Sequence, residues 1–329
     1  MATIREIAKK ANVSIATVSR ILSGDTTFSI KDSTRERVQQ IASELGYEKL
    51  NKKRELEIGC LMSLTYKSND PFFINILTGV QNYCAKHNAV IQLVLSYPQF
   101  QNMSKSFSQR IEKLDGLIVT DFPSDKIDRL TQLNSYITFI DHKVNGMCSV
   151  EYDDVYANEI MVQHLVDCGY RNIAYIGGPS NNFEFLYCTR LMVLRNTLQK
   201  FRISYDESMF LNCDWNDDTC RRMTRELVHS CPNIDCIIAG SDSLATVIIS
   251  ELAMMGIRCP LDIGVIGFND NPISKNFRPP LTTVYLPAQR MGELGAKLLI
   301  NQITSQTHYD FQIVLPVEMR CRDSTRKQY

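Results

Sequence analysis

The chain is expected to fold as an N-terminal all-α helix-turn-helix head-piece followed by an α/β core of two doubly wound parallel-sheet lobes. Three observations predict this. Apolar residues recur at helical spacing up to Tyr47. From Glu57 onward, short apolar runs alternate with amphipathic stretches, the pattern of βαβ units. Charge is also divided. Residues 1–55 hold 11 Lys and Arg against 7 Asp and Glu, while the whole chain of 329 residues is neutral. The head-piece therefore carries the positive surplus that a phosphate-rich partner attracts.

Ile4, Ile7, Ala8 and Ala11 share one face of a first helix. A turn at Asn12-Val13 follows. Ser14 stands where an N-cap belongs, ahead of Thr17-Val18-Ser19-Arg20-Ile21-Leu22. Val18, Ile21 and Leu22 face inward and the polar groups outward. Two short helices joined by a tight turn can set the second one in a DNA major groove. Ser33 or Thr34 is expected to start a third helix carrying Val38, Ile41, Ala42 and Leu45 inward, with Gly46 ending it. From this geometry Ile15, Ala16 and Arg20 line the outer face of the recognition helix. Arg20 has the reach for bidentate contact to guanine. Ser14, Thr17, Ser19 and Thr34 are phosphate candidates, and Ser14 can also serve as a cap.

The run IREIAKKANVSIATVSRIL resembles the head-piece of the LacI/GalR family of bacterial repressors. It departs from the family pattern at Asn12, where a Gly is usual, and at Ser23, where an Asn is usual. The resemblance implies operator binding, and it extends the DNA-facing set to Thr3, Ser23 and Lys31. The DNA-binding domain is placed at residues 1–48 and a short linker at 49–57. Family members carry a hinge helix here that wedges a leucine into the minor groove. This segment is polar and shorter, with Leu50, Arg54 and Leu56 as partial substitutes. A solvated tether whose lysines touch phosphates is the competing reading.

The core, 58–329, is expected to begin with a buried strand at Ile58–Leu64. A helical face made by Phe73, Ile76, Leu77, Val80 and Cys84 follows. Strands are expected at Val90–Leu95, Gly116–Val119, Tyr136–Ile140, Ile173–Gly178, Ile234–Ala239, Ile263–Phe268 and Gln312–Leu315, with a last helix near Met291–Ile300. Ligands of open α/β sheets bind beyond the carboxyl ends of the strands. That rule selects Asp141, Ser241, Asp242, Asn269 and Asp270, short polar side chains suited to a polyhydroxylated ligand. Trp215, the only tryptophan, and Phe72 or Phe73 are candidates for the aromatic face a sugar packs on. Competing roles stand beside these: Asp242 as a helix cap, Asp270 as a turn residue, Phe72 as core, Trp215 as rim.

The core is similar to the periplasmic-sugar-binding-type core of the same family. The landmarks are Asp70-Pro71-Phe72-Phe73, the run Gly169–Gly178, Ser241-Asp242-Ser243-Leu244-Ala245 and Pro280-Leu281-Thr282-Thr283-Val284, so the likeness spans essentially the whole chain. It implies three crossings between lobes, placed within several residues of 150, 281 and 313. Lobe 1 then comprises about 58–149 and 281–312, and lobe 2 about 150–280 and 313–329. Arg190 matches a family arginine that grips ligand hydroxyls or carboxylates; the alternative for it is a surface ion pair. Ser241 and Asn269 stand where many sugar-responsive members have Asn and Asp. The pattern looks most like the galactose-type (GalR/EbgR-like) regulators. The implied function is a sequence-specific repressor of a sugar-utilisation operon, a homodimer controlled by a galactose or galactoside effector. A pentose or purine acting as co-repressor is the alternative.

Other classes are disfavoured. The chain lacks G-x-G-x-x-G after its first strand, G-x-x-x-x-G-K-[ST] and G-x-S-x-G, and its five histidines show no triad spacing, so an enzyme is not expected. Eleven cysteines include no C-x-x-C pair, and neither a metal nor another cofactor is expected. No apolar run approaches the roughly 20 residues that cross a bilayer. No secretory signal is read at the polar N-terminus, so no membrane partner and a cytoplasmic location are expected. The C-terminal tail shows no leucine heptads, so a tetramerising coiled coil is not supported.

Overall fold

The computed structural model describes residues 3–22, 28–47, 54–62, 71–179 and 184–327. Ser23, Leu50 and Asp70, named above, lie outside the described residues. The chain forms two compact units, residues 1–55 and 56–329.

The first unit is three helices: α1 (Ile4–Ala11), α2 (Ile15–Leu22) and α3 (Asp32–Glu44). Ile7, Ala8, Ala11, Val18, Ile21, Val38 and Ala42 form its core. Thr3 and Glu6 close a reciprocal capping box on α1. Asn12 ends α1 with φ 52°, a left-handed conformation that suits Asn or Gly and accounts for Asn at this position. The Ser14 Oγ accepts the Thr17 amide at 3.0 Å, the expected cap of α2. The third helix departs from expectation. It starts at Asp32 behind Lys31, which makes no side-chain cap, rather than at Ser33 or Thr34. Gly46 follows it at φ 57°, and the Tyr47 amide returns to the Ala42 carbonyl at 2.8 Å.

The second unit opens with β1 (Leu56–Met62), α4 (Phe72–Lys86), β2 (Ala89–Ser96), α5 (Tyr97–Gln101), α6 (Lys105–Glu112), β3 (Gly116–Thr120), α7 (Ile127–Leu133), β4 (Ile137–Ile140) and β5 (Cys148–Tyr152). It continues with α8 (Asp154–Asp167), β6 (Ile173–Gly177), α9 (Thr189–Lys200), β7 (Phe210–Asn212), α10 (Asp217–Ser230), β8 (Cys236–Ala239), α11 (Asp242–Met254), β9 (Gly264–Asn269), α12 (Pro272–Asn276) and β10 (Thr282–Tyr285). It closes with α13 (Ala288–Ser305), β11 (Gln312–Leu315) and β12 (Glu318–Arg320). One sheet has the order β2-β1-β3-β4-β5-β11 and is wholly parallel. The other has the order β7-β6-β8-β9-β10-β12 and is parallel except for its antiparallel edge strand β12.

The crossings fall within several residues of the expected places, each slightly later. β5 stays in the first sheet to Tyr152 rather than ending near 150. β10 belongs to the second sheet, so residues 282–285 are not in lobe 1. The chain crosses after Tyr152, after Tyr285 and after Leu315. The physical reason for the second shift is bonding to segments distant in sequence. Thr282 and Thr283 are tied into the second lobe through Ser324 and Asp242. Leu56, expected as a hinge residue, is the first residue of β1 and pairs with Ala89, so a wedging role would require it to leave the sheet. Arg54 is exposed, just outside that strand. Among the described residues no helix is long and apolar enough to cross a membrane, and no cluster of His, Cys, Asp and Glu could hold a metal ion.

Two packing features support predictions. Helices α4 and α13 cross at Gly79 and Gly292. A Cβ at Gly79 would overlap the Gln289 carbonyl, and one at Gly292 the Ile76 carbonyl. Gly79→Ala should therefore lower stability by about 3 kcal/mol, read as a lower urea midpoint, while Gln81→Ala on the exposed face stays within about 0.5 kcal/mol. A Gly79→Ala midpoint equal to the parent's would show that the two helices separate freely. Asp242 is fully buried. It accepts from the Thr283 hydroxyl (2.5 Å), the Ser274 hydroxyl (2.7 Å) and the Asn271 amide (2.6 Å). Asp242→Ala strands those donors and should remove about 4 kcal/mol, given the strength of bonds to a charged acceptor. Retained stability with a lost ligand response would return Asp242 to the binding residues.

Candidate functional site

Two surfaces combine chemistry and exposure. On the first unit, Ser14, Ile15, Ala16, Ser19 and Arg20 are exposed along one face of α2, while Val18 and Ile21 are buried. Ile15 keeps half its surface in solvent. The Arg20 guanidinium stacks over the Phe28 ring at 5.2 Å. Thr17 is partly buried and shares a hydrogen bond with Ser14. Lys31 and Thr34 lie together at the start of α3, where the Thr34 amide bonds the Lys31 carbonyl. Thr3 is committed to its capping box at the start of α1.

The second surface lies where strand ends of the two sheets meet, and Arg190 is at its centre. The side chain leaves the first turn of α9 and is partly buried. One Nη donates to the Gly240 carbonyl at 2.7 Å, at the end of β8. The other donates to the Tyr152 hydroxyl at 3.1 Å, at the end of β5. Its guanidinium lies 4.7 Å over the Phe268 ring of β9. It is thus tied to both sheets and is not a surface ion pair. Burial opposes its charge, but Tyr152, Tyr175 and Asp154 outweigh burial, and the group stays a cation.

Carboxyls balance it. Asp141 follows β4 and is pushed up to about 8 by burial; Arg190 pulls against that, and Asp121, Asp154 and Glu151 push the same way as burial. Asp154, in the first turn of α8, accepts from Tyr152 at 3.4 Å and from Asn158 at 3.3 Å; burial raises it as well. The Tyr175 hydroxyl is buried close to Arg190, whose charge opposes the rise that burial imposes on it, and makes no well-formed hydrogen bond among the described residues. Trp215 donates to the Pro179 carbonyl at 2.8 Å and packs against Gly178 and Gly240.

The structure brings Asp141, Arg190 and Trp215 to one region. Asn269, with φ 109°, ends β9 one residue beyond Phe268. Ser241 is nearby but buried, and its Oγ caps α11 by accepting the Leu244 amide. Asp242 is a correction: its carboxylate is spent on the second lobe's interior and is not presented to a ligand. Asp270 is paired with Arg322 rather than only shaping a turn. Phe73 is half-buried at the start of α4, edge-on to the buried Phe72. Reading strand ends missed Tyr152, Asp154, Tyr175 and Phe268. Tyr152 sits at the end of β5, so the same rule would have found it had that strand been placed. A groove of about 380 Å³ between α8, Phe201 and β12 contains none of the expected effector residues.

Known proteins resemble both parts of the chain. Residues 3–49 match the model described as bacterial regulatory proteins, lacI family, and residues 162–325 match the periplasmic binding protein-like domain. The chain is 28% identical to the HTH-type transcriptional repressor MelR of Bacillus subtilis (strain 168), over 98% of this chain and 97% of that one. It is also 28% identical to the HTH-type transcriptional regulator GalR of Streptococcus thermophilus, over 99% and 100%. Among solved structures it is similar to the Lac repressor dimer bound to operator and the anti-inducer ONPF. The TM-score is 0.70 at 20% identity, covering 99% of each chain. The chain thus carries a helix-turn-helix domain of the bacterial regulatory lacI type at residues 3–49, followed by a periplasmic binding protein-like domain.

Proposed function

We propose that the protein is a transcriptional repressor that binds operator DNA through α2 and answers to a small sugar bound around Arg190. The observation that carries this reading is the capped α2. Its buried face holds the helix in place, while Ile15, Ala16, Ser19 and Arg20 remain exposed for a groove. In this reading Arg20 supplies base discrimination and Ile15 and Ala16 apolar contact. Ser14, Thr17, Ser19, Lys31 and Thr34 position the backbone. Arg54 follows the chain toward the core and adds a phosphate contact.

The Lac repressor resembled by the fold is a dimer on operator, and a homodimer would present two α2 helices to a pseudo-palindromic site. In the core, Asp141, Arg190 and Trp215 are the residues we assign to the effector, with Asn269, Ser241 and Phe73 at its margin. A sugar's hydroxyls suit the paired carboxyl and guanidinium, and its apolar face suits the indole. A galactose or galactoside heads the order of testing. GalR and MelR match at the same 28% identity, so identity does not choose between them. Because Arg190 is tied to both sheets, a ligand there favours one lobe arrangement and shifts the DNA affinity of the dimer, acting as an inducer.

Two variants test the assignments. DNA selected by the protein from a random duplex pool supplies the operator. Arg20→Ala should then lose most discrimination between that DNA and scrambled duplex, about 1–3 kcal/mol per guanine contact, with the core still folded. Undiminished preference would remove Arg20 from the reading face. Arg190→Lys keeps the charge but not the forked donors. It should weaken the effector response, followed by Trp215 emission and operator release, at least tenfold (about 1.4 kcal/mol), with operator affinity unchanged. A normal response would reject Arg190 as a ligand contact.

A further inference from the structure

We propose that the effector is an uncharged polyhydroxy molecule and that the site around Arg190 discriminates against its phosphorylated and acidic forms. This rests on the reading that the effector occupies that site. A lone buried arginine usually suggests a carboxylate or phosphate ligand. Here the arginine is already answered from within the protein.

One Nη is given to the Gly240 carbonyl and the other to the Tyr152 hydroxyl. Tyr152 in turn donates to the Asp154 carboxylate, so the cation and that acid are joined through one tyrosine. A second acid, Asp141, comes in from the end of β4 with Arg190 as its main attractive charge. The charges that reach Asp141 most strongly are Arg190 from α9, Asp121 from the end of β3, Asp154 from α8 and Glu151 from β5, which makes three acids to one base. Glu151 is itself held by Ser149 and Gln312.

Helix ends add no unanswered positive field at α8 or α11. Asp153 caps α8 and Asp154 follows in its first turn, while Ser241 caps α11 and Asp242 follows. What the site still offers is hydroxyl chemistry. The buried Tyr175 hydroxyl makes no well-formed hydrogen bond among the described residues, and the Asp141 carboxyl either accepts or, when protonated, also donates. An anionic arm here would meet the Asp141 and Asp154 charges or have to keep both protonated. A neutral hydroxyl meets neither cost.

The test uses the full chain and paired ligands that differ only in charge: galactose with galactose 6-phosphate and galacturonate, and ribose with ribose 5-phosphate. Trp215 emission and release of pool-selected DNA report binding at about pH 7 and about pH 9. The expected result is a response to a neutral member, with its charged partner at least tenfold weaker, about 1.4 kcal/mol. The gap should widen at the higher pH, where Asp141 is ionised. Asp141→Asn should narrow that ratio, which a merely structural Asp141 would leave unchanged. Equal or tighter binding of a charged member overturns the proposal while leaving the effector site intact. Silence toward both members of every pair overturns the reading of the site as a sugar pocket, and this proposal with it.

Discussion

The grip on Arg190 is the interaction around which the core is arranged. A guanidinium taken out of water carries a desolvation cost of several kcal/mol unless its donors and charge are met. Here the partners come from four elements: the Gly240 carbonyl after β8, the Tyr152 hydroxyl ending β5, the Phe268 ring of β9 and the Asp154 carboxyl of α8. Since β5 belongs to one sheet and β8 and β9 to the other, the same side chain ties the two sheets at the place where a ligand would reach both. Changes in their relative placement must pass through its hydrogen bonds.

The head-piece was legible because its information is local. Three apolar stripes of period 3.6, a cap at Ser14 and a glycine at 46 specify three helices without reference to the rest of the chain. The one error there was also local. The start of α3 is set by Lys31, which makes no side-chain cap, so the cap-forming Ser33 and Thr34 attracted the assignment one or two residues too late. In the core, the buried strands were legible for the reason that parallel sheets are covered on both faces and read as continuous apolar runs.

What was not legible depends on contacts between segments far apart in sequence. Nothing within Thr282–Tyr285 says that it is a strand or which sheet it joins. That is decided by Asp242, some forty residues earlier, and by Ser324, as many later. Asp242 was ambiguous for the same reason. A carboxyl beyond a strand end has the position of a ligand contact, and only the arrival of Thr283, Ser274 and the Asn271 amide converts it to an interior hub. Tyr152 and Tyr175 look in sequence like ordinary buried strand residues. Their hydroxyls matter only because Arg190 comes from another element.

The glycine floor near Arg190 shows how strongly such long-range fit constrains residue choice. The Tyr175 hydroxyl lies within contact distance of where side chains at Gly177 and Gly240 would begin, and the Trp215 ring does the same to Gly178 and Gly240. Each glycine is therefore small because an aromatic already occupies its side-chain space, not because the backbone needs a turn. The Trp215 backbone itself sits at φ 55°, and its indole is pinned to Pro179, so the ring cannot easily withdraw. A fixed indole over a flat glycine floor, beside one cation and two carboxyls, presents a face and an edge. The face takes apolar C–H surface and the edge takes hydroxyls. A ring with hydroxyls around its rim satisfies both at once, whereas a flexible chain or a bare anion satisfies at most one. The shape argument and the charge argument thus favour the same kind of ligand for independent reasons.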